Sequence, residues 1–206
     1  MFKEERREIA YFMRRLYKMG LTTTSGGNIS RRCDDYVLMT PSTLDKARLK
    51  AKHIVILSLE GENLTPDLKP TMEKEMHIEI YRKNSEVKAI VHAHPVTATA
   101  FACTGKTVST TLIAESYAIL GIPVRAKYAT MGTKELAGIV SEAASGNKVV
   151  LMDNHGVLAT GKNLLQAFDR IEVLENAAKT TLICEILRDT KNIPESELRV
   201  LAKMVG

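Results

Sequence analysis

The sequence predicts a single α/β domain in which a mixed or mainly antiparallel sheet is covered by helices. Three observations carry this. Short β-branched runs alternate along the chain with segments of helical apolar period. Some of those runs are joined by tight turns, as antiparallel neighbours are. A chain of 206 residues with no repeat and no Pro/Ser/Gly linker has the length of one ordinary domain. Its 45% hydrophobic content is enough for a sizeable core, and 26% charged residues argue against disorder. No apolar run approaches the roughly 20 residues of a membrane span.

The elements follow in order. In residues 4–19 the apolar positions Ile9, Phe12, Met13, Leu16 and Tyr17 form one helical stripe, and Gly20 stops it. Residues 22–28, rich in Thr, Ser and Gly, read as a loop. Residues 29–32 and 36–40, split by Cys33-Asp34-Asp35, read as a hairpin, and 53–59 as a further strand. Thr71 caps a helix reaching about Arg82. A strand over 87–94 ends at Pro95, with a short helix over 96–102 and a clearer one over 133–144. Strands at 148–152 and 157–160 flank the turn Asp153-Asn154-His155-Gly156. The longest helix covers 163–188, with Leu164, Leu165, Phe168, Ile171, Leu174 and Ala178 on one face, and a last one begins at Pro194.

The net charge of +5 is local, because residues 1–32 hold eight Lys/Arg against three Asp/Glu and the remainder is balanced. These cations sit on an amphipathic helix and beside a Gly-rich turn, without interleaved aromatics. They suit a solvated face and a small anionic ligand rather than nucleic acid. Three widely separated cysteines (Cys33, Cys103, Cys184) exclude a disulfide scaffold and a thiolate metal site. With a mixed-charge start in place of an apolar signal core, they point to the cytoplasm.

Candidate chemistry gathers on the histidines. His92 and His94, two apart on a strand, project from one face, and that spacing suits two imidazole ligands on one cation. His155, in a strand-connecting turn, can supply a third, and three histidines with an open position are the pattern of catalytic zinc. Without further support, the same His-x-His is two strand residues. His53 and His77 read as structural. Glu73, in the first turn of its helix, is a capping acid unless the fold carries it to the histidines. Ser25-Gly26-Gly27-Asn28, Thr40-Pro41-Ser42-Thr43 and the helix start at Thr71 each offer donors to an anion.

Ser25-Gly26-Gly27-Asn28-Ile29-Ser30, Thr40-Pro41-Ser42, Pro70-Thr71-Met72-Glu73-x-x-x-His77, Val91-His92-Ala93-His94-Pro95 and Asn154-His155-Gly156 occur in that order. This set resembles the zinc-dependent class II aldolase/epimerase family, over essentially the whole chain. The resemblance implies a three-layer α/β/α sandwich around a mainly antiparallel mixed sheet, and cyclic homotetramers with sites at subunit interfaces. It implies Zn²⁺ on His92, His94 and His155, with Glu73 as catalytic acid/base. Substrate phosphate is then held by Gly27, Asn28, Ser42, Thr43 and Thr71, and Tyr117 of a neighbouring subunit becomes the proton donor, although the spacing around Tyr117 departs from the family pattern. The activity implied is cleavage of a ketose 1-phosphate, such as L-fuculose 1-phosphate, to dihydroxyacetone phosphate and an aldehyde such as L-lactaldehyde, through a metal-stabilised enediolate. The alternatives are a ribulose-phosphate 4-epimerase, in which Asp usually replaces this Glu, a methylthioribulose-phosphate dehydratase, and an adducin-like binding module, which lacks the zinc histidines.

Overall fold

The computed structural model describes residues 1–204. Helix α1 (Lys3–Lys18) buries Ile9, Phe12, Met13 and Leu16, while Tyr17 stays partly exposed. Strands β1 (Asn28–Cys33) and β2 (Tyr36–Met39) form the predicted hairpin, and β3 (Val55–Ser58) pairs with β2. Helix α2 (Lys74–Lys83) precedes β4 (Ala89–Ala93) and α3 (Val96–Ala102). Then come α4 (Ala114–Leu120), β5 (Val124–Ala126), α5 (Lys134–Ala143), β6 (Val149–Met152) and β7 (Gly156–Gly161). Helices α6 (Leu164–Leu187) and α7 (Glu195–Met204) complete the chain.

The strands make one seven-stranded sheet in the order β3-β2-β1-β4-β7-β6-β5, antiparallel throughout except for the parallel β5–β6 pair. Alternation along each strand feeds two cores. Ile29, Leu38, Val91, Leu151 and Ala159 face α1, α3 and α6, whereas Val37, Ile90, Val150 and Leu158 face α2 and α5. The molecule is therefore the α/β/α sandwich the resemblance implied, with the sheet as its middle layer. None of the described helices is long and apolar enough to cross a membrane, and all three cysteines are free thiols.

Two local readings are corrected, and two elements, α4 and β5, have no expected counterpart. The helix expected to be capped by Thr71 begins at Lys74, with Glu73 at its N-cap. Residues 69–72 are held out of it because Ser42 N–H donates to the Lys69 carbonyl at 2.9 Å and Pro70 bridges to Pro41. Helix α4 has no side-chain cap at its start, with Gly121 at its C-cap the one terminus signal, and β5 spans three residues, so neither showed a legible period. Leu165, placed on the buried face of the long helix, is exposed.

Candidate active site

One end of the sheet collects every element that matters here: the start of β1, the ends of β2 and β4, and the β6–β7 turn. Antiparallel pairing sets Asn28 directly opposite His92. Two glycines permit the approach that follows. Gly27 adopts φ +64°, and a Cβ there would lie 2.8 Å from the His92 carbonyl oxygen. A Cβ on Gly156 would lie 2.5 Å from His94 Cδ2 and 2.7 Å from the Ala93 carbonyl oxygen.

His92, His94 and His155 bring ring nitrogens within 4.8 Å of one another. His92 Nδ1 donates to the Val157 carbonyl at 2.9 Å, which leaves its Nε2 with a free lone pair, 3.1 Å from His94 Nε2. Burial lowers the pKa of His92, and pushes that of His94 down to about 3, so both rings are neutral donors at pH 7. Glu73 is 6% exposed, with Oε2 3.2 Å from His92 Nε2 and Oε1 3.1 Å from His155 Nε2. The second approach lacks hydrogen-bond alignment, so Oε1 is buried with no partner of its own. Burial raises the Glu73 pKa, but His92, His155 and the Asn28 amide outweigh it and hold the carboxyl well below the usual carboxylate range. Three imidazoles converging beside a buried carboxylate form a donor set that fits a divalent cation of borderline softness.

Behind Glu73 runs a ladder of buried polar groups. Glu73, His77 and Tyr81 occupy i, i+4 and i+8 of one helical stripe and face Asn28 and Ser30, at i and i+2 of β1. Asn28 Nδ2 donates to Glu73 Oε2 at 2.8 Å, and Asn28 Oδ1 therefore accepts from His77 Nε2 at 2.5 Å. Burial lowers the His77 pKa to about 3, so the neutral ring has Nδ1 free to accept from Ser30 Oγ at 2.6 Å. Ser30 Oγ accepts in turn from the Tyr81 hydroxyl at 2.7 Å. Every donor in this chain points toward the carboxylate.

In front lies a pocket walled by Gly27, Asn28, Ser42, Lys46, Thr71 and Glu73, with His94 and His155. Thr71 Oγ1 accepts from the Glu73 N–H at 3.4 Å, and the Lys46 N–H donates to the Thr24 carbonyl at 3.0 Å, so three loops close around it.

Residues 7–182 match the family model described as Class II Aldolase and Adducin N-terminal domain. The chain belongs to this family. Relatives include a 5-deoxy-D-ribulose 1-phosphate aldolase of Bacillus thuringiensis serovar kurstaki, 36% identical, with 98% of this chain and 96% of the relative covered. A 3-oxo-tetronate 4-phosphate decarboxylase of Haemophilus influenzae is also 36% identical, over 81% of each chain. Among solved structures, an L-fuculose 1-phosphate aldolase superposes with a TM-score of 0.89 at 31% identity, covering 96% of this chain and 94% of that one.

Class II aldolases are metal-dependent, and the three-histidine cluster could bind a metal in this family member. Of the residues expected at its site, the fold gathers Glu73, His92, His94, His155, Gly27, Asn28, Ser42 and Thr71. Two stand apart. Thr43 is exposed, with its hydroxyl donating to the Ser42 carbonyl at 2.8 Å. Tyr117 lies on α4, which packs against α6 and α7, and it is not part of the pocket wall. His77, expected to be structural, is a buried member of the ladder. The Glu73, His77, Tyr81 spacing, a polar stripe on a helix expected to face a sheet, was the signal for it. Lys46 was missed outright, and nothing in Asp45-Lys46-Ala47 announces that it is buried.

Proposed function

We propose that this class II aldolase family member is a zinc-dependent enzyme that reversibly cleaves a ketose 1-phosphate to dihydroxyacetone phosphate and an aldehyde. L-Fuculose 1-phosphate, giving L-lactaldehyde, and a 5-deoxypentulose 1-phosphate, giving acetaldehyde, are the substrates the relatives favour. The observation that carries the proposal is the Glu73 carboxylate, 3.1–3.2 Å from two of three converging imidazoles and open to a donor-lined pocket.

His92, His94 and His155 would hold the cation, which when bound supplies Lewis-acid polarisation of the substrate carbonyl. Gly27 N–H, Ser42 and Thr71 orient the phosphate, with Asn28 at the junction between phosphate and carboxylate, and Thr43, which stands outside the wall, has no part in it. In the condensation direction Glu73 removes a proton from the hydroxymethyl carbon of dihydroxyacetone phosphate, and in cleavage it returns one. The ladder fixes the carboxylate for that transfer. Cleavage also needs a base at the hydroxyl that becomes the aldehyde oxygen, and condensation needs the corresponding acid. Tyr117, which is not in the wall of its own pocket, fills that role from a neighbouring copy in this reading, which takes the protein as a homotetramer with shared sites.

A second reading comes from the decarboxylase relative, because loss of carbon dioxide beside a carbonyl uses the same charge stabilisation. One experiment separates them. In D₂O, zinc-loaded protein should exchange one hydroxymethyl proton of dihydroxyacetone phosphate stereospecifically, as read by ¹H NMR. Chelation and Glu73→Gln should each abolish the exchange. Failure to exchange with zinc bound, together with carbon dioxide release from a 3-oxo acid phosphate, would replace the aldolase with the decarboxylase.

A further inference from the structure

We propose that Lys46 is the charge receptor of this pocket, pairing its buried ammonium with the dianion of a phosphate monoester and making the site demand that charge state. The inference rests on the sugar-phosphate reading and deepens it by naming which ionisation state is taken and which residue selects it.

Lys46 opens a short 3-10 turn (Lys46–Arg48) and is 2% exposed. Its Nζ donates to the Pro41 carbonyl at 2.7 Å, and among the described residues no carboxylate is paired with it. An ammonium brings three donors, so two remain to be satisfied. Burying such a group with one carbonyl for company is unfavourable unless something in the pocket answers it. Burial alone pushes its pKa down to about 8, which still leaves it protonated at neutral pH.

The charges of the wall sharpen the point. Among the described residues that line the pocket, Lys46 is the one lysine or arginine, and Glu73 is the one carboxylate. Neutral donors from Ser42, Thr71 and the Gly27 backbone can shape a phosphate site but do not offset a dianion beside a carboxylate. Lys46 does. Its Nζ contact with Pro41 and its N–H contact with Thr24 also staple two loops together, and the test separates that structural role from charge pairing.

Calorimetric titration of dihydroxyacetone phosphate and of inorganic phosphate into the zinc-loaded protein and Lys46→Met supplies the first arm. The expected result is at least tenfold weaker binding of both, with zinc affinity at the histidines unchanged. Unchanged phosphate affinity overturns the proposal. If the substitution weakens zinc as well, the wild-type protein decides by ³¹P NMR of bound dihydroxyacetone phosphate. Its second ionisation should move at least one pH unit below that of the free ligand, whereas an unmoved ionisation leaves Lys46 a staple and overturns the proposal. Lys46-dependent phosphate binding in a protein that neither exchanges nor cleaves would uphold this inference and remove the aldolase.

Discussion

Asn28 Nδ2 donates to Glu73 Oε2 at 2.8 Å, joining a strand to a helix across 45 positions of sequence. The same amide accepts from His77, so it is spoken for on both sides before any ligand arrives. Glu73 is thereby held by the sheet as well as by its own helix.

Asn28→Ala should cost stability and activity together. It leaves the His77 N–H and one carboxylate oxygen buried without their partner, a loss of about 2–6 kcal/mol at roughly 1–3 kcal/mol for each such group. Urea unfolding monitored by circular dichroism measures this. A loss under 0.5 kcal/mol, in the scale of a surface change, would show that the amide bonds contribute nothing net.

His77 should make the metal-free fold acid-sensitive in a defined window. Its pKa of about 3 lies below the unfolded value of 6.5, so the unfolded chain binds the extra proton first and stability falls as pH drops from 6.5 toward 3. Between pH 7 and pH 4 this single group accounts for about 3 kcal/mol. His77→Gln should flatten the stability–pH curve by about that amount; a parallel curve would place the titration elsewhere.

Gly156→Ala should injure the metal site while leaving the fold intact. The new methyl needs space held by His94 Cδ2 and the Ala93 carbonyl, and the backbone cannot yield as a flexible side chain could. Displacing one imidazole should weaken zinc by about 10–100-fold, the range seen when a ligand's support is lost. Competition against a chromophoric chelator reads the affinity directly.

Lys46→Met should stabilise the ligand-free protein. The native pKa of about 8, below the unfolded 10.5, means that the native charge is penalised at neutral pH and that stability rises as pH climbs from 8 to 10.5. Removing it should gain about 2 kcal/mol, from roughly 3 kcal/mol of relieved burial less about 1 kcal/mol for the lost bond to Pro41. The variant should lose the rise above pH 8, which thermal unfolding across pH 7–10.5 would show.

The sheet and helices were legible because buried strands and amphipathic helices write their periods into the chain. Ile9, Phe12, Met13 and Leu16 needed only a count of spacings. The histidine cluster was legible for a different reason: His92 and His94 are locally spaced, and Asn154-His155-Gly156 forms a recognisable turn. Lys46 was hidden, because its burial depends on Thr24 and Pro41 closing over it, contacts that no local pattern encodes. The true start of α2 was hidden in the same way by the pairing of residues 41–42 with 69–70.

The ladder between α2 and β1 works like a vernier. A helix advances about 6 Å over four residues and a strand about 6.7 Å over two, so successive rungs fall out of step by under 1 Å. Few rungs can stay in hydrogen-bond range before the scales diverge, and the setting is sensitive to a single tooth. One residue inserted between Glu73 and His77 would turn the carboxylate by about 100° around the helix axis while Tyr81 and the core behind it kept their places. Loops outside the pocket wall can lengthen without touching the reaction, but the four-residue interval from Glu73 to His77 is a gauge that cannot be reset.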